Sequence, residues 1–322
     1  MTDVPPERLE FTRPFSLPLR RRFRGVTSRE GWLLEGPAGW GEFSPFWDYD
    51  TYRCLPWLRA AYEAAFVGWP SPVRTLVPVN AIVPAVGPED AAELVRQSGC
   101  STAKVKVGEA GQSLADDVAR VAAVRDALGR EGRVRIDVNG GWEVDDAVRR
   151  IKALDIAARG LEYVEQPCAS VEELALLRRK IDVPVAADES VRITDDPLRV
   201  VRAEAADIVV LKVAPLGGVS SCLLLAEQLG LPVVVSSALE SSVGLAAGVA
   251  LAAALPELPY ACGLATGRLL AADVVSSTLV PVDGMLDLRP VVPDADALAA
   301  VVPSDELQRR MADRLGDALG AA

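Results

Sequence analysis

The sequence predicts an α/β protein, a TIM-type barrel carrying a smaller α+β unit. Two observations lead to this. Between residue 79 and about residue 284, eight short apolar runs alternate with longer Ala/Leu/Arg segments of helical period. Their spacing, about one strand and one helix each, fits a barrel better than an open sheet. A nucleotide-binding open sheet also lacks its fingerprint, since no G-x-G-x-x-G follows a run and no G-x-x-x-x-G-K-[ST] occurs.

The elements follow in order. Residues 1–78 hold five of the six tryptophans, many prolines and a hairpin-like pair of runs, 31–34 and 40–43, joined through Gly36-Pro37. The basic stretch Arg20-Arg21-Arg22-Phe23-Arg24 reads as a solvated strand edge or loop. The barrel runs are 79–83, 103–107, 134–138, 161–165, 183–187, 207–213, 231–235 and 260–264. The Ala- and Gly-rich stretch 243–255 is too short to span a bilayer and suits a tightly packed helix. Residues 305–319 form an amphipathic segment expected to pack back on the N-terminal unit. The division is therefore 1–78 for an N-terminal α+β cap, 79–284 for the barrel and 285–322 for a C-terminal segment completing the cap.

Composition narrows the chemistry. Among 322 residues there is no histidine, which excludes Ser-His-Asp and Cys-His catalysis and His-ligated metals. A general base near neutral pH must then be a carboxylate, Tyr, Cys or a tuned Lys. A net charge of −11 argues against nucleic acid or an anionic membrane as partner. Five dispersed cysteines with no C-x-x-C predict neither disulfides nor a thiolate metal site and fit a reducing cytoplasm. The start, MTDVPPERLEF, has acidic residues and prolines where a signal peptide needs a basic and then an apolar stretch. The expected partner is a small carboxylate substrate, and the expected assembly a monomer or weak homo-oligomer.

Barrel enzymes build their sites at the C-terminal ends of the strands. Five consecutive runs end in charge: Lys104 and Lys106, then Asp137, Glu165, Asp188 and Lys212. Taken singly, each is explained by solvation or by capping of the next helix. Together, three carboxylates on successive strands make a cluster of like charge that calls for a cation. All-oxygen ligands point to a hard ion, Mg²⁺, with Mn²⁺ as a substitute. Side-chain alternation puts Lys104 and Lys106 on one side. A lysine beside another lysine and a cation has its pKa lowered toward use as a base. The set suits proton abstraction α to a carboxylate. Asn139 is read as a contact to the substrate carboxylate, a group behind the ligands, or a helix N-cap. Ser236 and Ser237, with the Gly263 backbone, are read as receiving a second carboxylate or as turn residues.

In this order the residues Lys104-x-Lys106, Asp137, Glu165, Asp188 and Lys212 resemble the enolase superfamily, muconate-lactonising subgroup. Residues 41–47, 79–84, 236–244 and 262–270 further resemble the o-succinylbenzoate synthase family within it. The resemblance implies a (β/α)₇β barrel under a cap. It also implies Mg²⁺-dependent syn-dehydration of a succinyl-hydroxycyclohexadiene carboxylate in menaquinone biosynthesis. Lys106 would be the single base, Lys212 a cationic partner over the ring, and Lys104 a helper that tunes Lys106. Dipeptide epimerisation is disfavoured, because Gly263-Leu264-Ala265-Thr266-Gly267 stands where that branch carries Asp-x-Asp. N-succinylamino acid racemisation, muconate-type cycloisomerisation and an inactive scaffold are the alternatives.

Overall fold

The computed structural model describes residues 11–23 and 25–322. The chain opens with an antiparallel sheet of β1 (Phe11–Phe23), β2 (Val26–Gly36) and β3 (Gly39–Phe43), ordered β1-β2-β3. The expected hairpin is the β2–β3 pair, closed where Gly36 faces Gly39. Helix α1 (Thr51–Tyr62) follows, started by Asp50, whose carboxylate accepts the Arg53 N–H at 2.9 Å. The hairpin lies directly on α1 because Gly41 has no side chain. A Cβ there would stand 2.1 Å from the Ala61 carbonyl oxygen. Of the basic stretch, residues 20–23 end β1 and Arg24 lies outside the described residues.

The middle of the chain alternates strands and helices. It runs β4 (Leu76–Pro78), β5 (Ala81–Val83), α2 (Pro88–Ser98), β6 (Thr102–Lys106), α3 (Leu114–Leu128), β7 (Arg133–Asp137) and α4 (Val144–Ala158). Next come β8 (Tyr163–Glu165), α5 (Val171–Arg178), β9 (Val185–Ala187), the short α6 (Glu189–Arg192) and α7 (Arg199–Arg202), and β10 (Ile208–Lys212). Then follow α8 (Val213–Leu216), α9 (Val219–Leu229), β11 (Val233–Ser236) and α10 (Ser242–Ala254). Last are β12 (Met285–Asp287), α11 (Ala295–Ala300) and α12 (Asp305–Ala321).

Strands β5 to β11 form one seven-stranded parallel sheet in sequence order, curled and TIM-barrel-like. Capping boxes start two of the intervening helices, Ser113 with Asp116 on α3 and Ser170 with Glu173 on α5. The eighth expected run departs from expectation. Residues 260–264 form no ladder strand, only single parallel bridges from Cys262 to Val79 and from Gly263 to Ser236. Backbone hydrogen bonds reach both neighbours, from Cys262 to Pro78 and Asn80 and from Gly263 to Val235 and Ser237, and the 3₁₀ turn that begins at Ala265 ends the pairing there.

Alternation along the strands sorts the side chains. Val134, Ile136, Val164, Val185, Val209, Leu211, Val233 and Val235 face the helices in the main core, with the almost wholly buried α10. Tyr163, Ala186, Ile208, Val210 and Val234 fill the inside of the curl. The two predicted boundaries fall beside one small sheet, because β4 and β12 pair antiparallel with Met285 opposite Pro78. Helix α12 returns to the N-terminal unit, with Leu315 and Ala318 packed among Cys54, Trp57 and Leu58. All five cysteines are free and buried, and no helix among the described residues is long and apolar enough to cross a membrane.

Candidate active site

The parity that sends Val134 and Ile136 outward sends Arg135 and Asp137 inward. Register then aligns Lys106 with Asp137 and Asp137 with Glu165 on neighbouring strands. Asp188 follows β9 directly, and Lys212 ends β10 opposite Ser236 of β11. The six charged residues named from the sequence therefore gather at one end of the sheet, five of them buried and Lys104 with only 11% of its side chain exposed.

Opposite charges interleave there. Lys104 Nζ lies 2.7 Å from Glu165 Oε1 and 3.4 Å from Asp137 Oδ2, while Lys106 Nζ lies 3.0 Å from the same Asp137 oxygen. Lys212 Nζ lies 2.6 Å from Asp188 Oδ2. The Phe23 ring sits 5.8 Å from Lys106 Nζ, a cation–π distance. Burial works against the Lys104 ammonium, yet Glu165 and Asp137 outweigh it and raise its pKa. Burial pushes the Glu165 carboxyl up to about 7, opposed by Lys104 and reinforced by the carboxylates of Asp137 and Asp188.

Those two neighbours raising Glu165 show that the three carboxylates share one field. Among the described residues no three such groups stand close enough together to form a ready metal cage, because the ammonium groups lie between them. The donor set nonetheless fits a hard cation. Glu165 Oε2 is buried with no hydrogen-bond partner among the described residues, an acceptor whose burial is costly unless something binds it.

Asn139 is left-handed at φ 52° and begins no helix, since α4 starts at Val144 after Glu143. Its backbone N–H donates to Asp137 Oδ1 at 3.2 Å and its Nδ2 to Glu189 Oε1 at 3.1 Å. It also lines a 550 Å³ cavity together with residues 25–30, 46–49, 189, 192 and 193. Phe46 and Tyr49 both line this cavity and pack on Trp57, so they serve wall and core at once. Ser237 donates to Glu240 and accepts from Thr266 Oγ1 at 2.7 Å. The Gly263 amide donates to Val235 O at 2.8 Å and the Ser236 hydroxyl to Gly263 O at 3.4 Å, so the amide and both serine hydroxyl protons at that corner are engaged within the protein.

The chain matches the model for enolase C-terminal domain-like proteins over residues 88–295 and that for enolase N-terminal domain-like proteins over residues 15–65. It is 68% identical over 289 residues to the o-succinylbenzoate synthase of Thermobifida fusca, covering 90% of each chain. The chain belongs to the o-succinylbenzoate synthase family. That of Mycolicibacterium smegmatis is 56% identical, over 95% of this chain and 94% of its own. Fold likeness reaches further. The muconate lactonizing enzyme of Pseudomonas fluorescens superposes with TM-score 0.77 at 21% identity, over 90% of this chain and 97% of that one. The dipeptide epimerase of Enterococcus faecalis, solved with Mg and a dipeptide, gives 0.71 at 21%, over 87% and 96%.

Sequence reasoning missed Arg192, whose guanidinium donates to Asp188 Oδ1 at 2.8 Å, Glu189 Oε1 at 2.6 Å and the Tyr49 hydroxyl at 2.7 Å. Its spacing of four from Asp188 on a helical turn was the available signal. Gln166 was missed too. Its Oε1 accepts the N–H groups of Asp188 and Ser190 at 3.0 and 3.2 Å, and its Nε2 donates to Cys168 O and Ser190 Oγ, fixing the backbone that carries Asp188.

Proposed function

We propose that this chain is an o-succinylbenzoate synthase, a carbon–oxygen lyase that dehydrates 2-succinyl-6-hydroxy-2,4-cyclohexadiene-1-carboxylate to 2-succinylbenzoate for menaquinone synthesis. The observation that carries the reading is 68% identity to a relative of that name across 90% of both chains. The unbroken set Lys104, Lys106, Asp137, Glu165, Asp188 and Lys212 supports it at the site. We read the curled sheet, with the 260–264 run bridging its edges, as a (β/α)₇β barrel. On this reading residues 1–78 and 285–322 form the cap.

Asp137, Glu165 and Asp188 would hold Mg²⁺, which when bound stabilises the negative charge developing on the substrate carboxylate. Lys106, next to Asp137 and shielded by Phe23, takes the proton α to that carboxylate. Once protonated, it delivers a proton to the departing hydroxyl, so one base serves both halves of a syn elimination. Lys212 presents its ammonium from the Asp188 side, where a cation favours the ring as it becomes aromatic. Lys104, held by Glu165, keeps positive charge beside Lys106. Asn139 faces the cavity as a substrate contact, and Ser236 and Ser237 would receive the succinyl carboxylate by turning their hydroxyls away from Gly263 O and Glu240. Phe46 and Tyr49 wall the cavity against water.

The test is a direct assay of Mg²⁺-dependent aromatisation of the cyclohexadiene, followed by ultraviolet absorbance. Failure to turn it over, with rapid deuterium exchange into N-succinylamino acids, would replace this assignment by racemisation.

A further inference from the structure

At the other end of the sheet, remote from the ligands, four arginines meet. Arg125, Arg130, Arg133 and Arg159 line a 250 Å³ pocket between the loop from α3 to β7 and the loop from α4 to β8, joined there by Glu131 and Glu162. Such a gathering of positive charge is unexpected in a chain of net charge −11. Arg125 is only 4% exposed and is fixed by carbonyl oxygens alone, donating to Ala158 O at 2.5 Å, Gly129 O at 3.0 Å and Gly132 O at 2.7 Å. Its other terminal nitrogen donates no hydrogen bond to the protein among the described residues, and the side chain borders the pocket. Burial, followed by the charges of Arg159 and Arg133, lowers the Arg125 pKa.

The carboxylates nearby do not neutralise this group. Glu162 is engaged by Arg135 Nε at 2.5 Å, and Asp126 pairs with Arg159 at 2.8 Å on the exposed side. Among the described residues no ion pair joins Glu131 to any of the four, and none involves Arg130 or Arg133. With two glutamates against four arginines, the pocket carries a formal excess of two positive charges. Planar guanidinium groups recognise oxyanions bidentately, and a dianion would balance that excess.

We propose that this pocket is a binding site for a phosphate-type dianion, free or as a monoester, that clamps the two loops together. Arg133 is the first residue of β7 and Asp137 its last, so the site braces the far end of a strand that carries a proposed metal ligand. The far end of such a sheet serves stability, and the ligand's effect should therefore appear in melting behaviour.

The test compares the wild-type chain with Arg130→Ala/Arg133→Ala, both exposed positions, and with Arg133→Glu. Thermal melts are recorded against low-millimolar inorganic phosphate or phenyl phosphate, with sodium chloride of equal ionic strength as control. The expected result is a saturable rise of about 2–5 °C in the wild type, lost in both variants, with one-to-one binding by calorimetry. A response to both probes identifies a monoester site, and a response to inorganic phosphate alone identifies a free-ion site. No saturable rise, or an equal rise in all three proteins as exclusion of phosphate from the surface would give, overturns the proposal.

Discussion

Glu42 of β3 reaches the start of α10, 199 residues away in sequence, and its removal measures how firmly the N-terminal unit is tied to the barrel helices. Its Oε2 accepts the N–H groups of Ser241 and Gly244, both at 3.1 Å, and the Ser241 hydroxyl, while Oε1 accepts Ser44 Oγ at 2.6 Å. The hydroxyls can turn to other acceptors, but the two backbone donors in the first turn of α10 cannot. Leaving a buried donor unpaired costs about 1–3 kcal/mol each. Burial of the carboxylate itself is unfavourable, as its raised pKa shows, and its loss offsets part of that cost. Glu42→Ala should therefore lose about 3 kcal/mol. Glu42→Gln, which keeps one acceptor oxygen, should lose about 1–2 kcal/mol. The pH dependence has a definite sign. A carboxyl whose folded pKa lies above its ordinary 4.5 binds protons more tightly in the folded state. Stability from this group is thus full at acid pH and falls as pH rises above about 4.5. The wild type should lose ground to Glu42→Gln over that range. Urea unfolding followed by near- and far-ultraviolet circular dichroism, repeated from pH 4 to 8, reads both effects. A loss under about 1 kcal/mol for Glu42→Ala would refute the clamp.

Other expectations follow from the same geometry. Lys106→Ala should lower kcat by about 10²- to 10⁴-fold while the chain still folds, since Asp137 keeps Lys104 at 3.4 Å. Steady-state kinetics and melting together check this. Lys212→Ala should also cost turnover and stay folded, because Asp188 keeps Arg192 at 2.8 Å. Deuterium wash-in would show whether Lys212 moves a proton after all. Chelation should abolish activity, Mg²⁺ should restore it, and Asp188→Asn should weaken both that rescue and Mn²⁺ binding in calorimetry. Asp273 accepts the N–H groups of Ser242 and Val274 at 3.1 and 2.7 Å, and burial raises its pKa. Asp273→Asn should therefore flatten stability against pH above the ordinary carboxyl range, as read by unfolding at several pH values. Gly41→Ala should cost at least about 2 kcal/mol, because its Cβ would meet the Ala61 carbonyl oxygen at 2.1 Å. Urea unfolding would measure it.

The missing histidine, the alternating apolar runs and the ordered charges were enough to name Lys104, Lys106, Asp137, Glu165, Asp188 and Lys212. The reason is strand parity. A side chain two residues from an inward neighbour must also point inward, and a residue that ends a parallel strand must join the others at that edge. Local patterns also placed the β2–β3 hairpin, the buried α10 and the amphipathic α12. Contacts between distant segments carry no such period. Nothing near Glu42 in the sequence announces Ser241, and nothing before Tyr49 announces Arg192. The 260–264 run has the pattern of an eighth strand, but it pairs only through single bridges to Val79 and Ser236 before the turn at Ala265. Likewise, the convergence of Arg125 and Arg133 with Arg159 depends on two loops meeting. Which side chains face inward was legible before folding, because it follows from the backbone's own repeat. Which of them touch was not, because contact across the fold depends on the whole chain being packed.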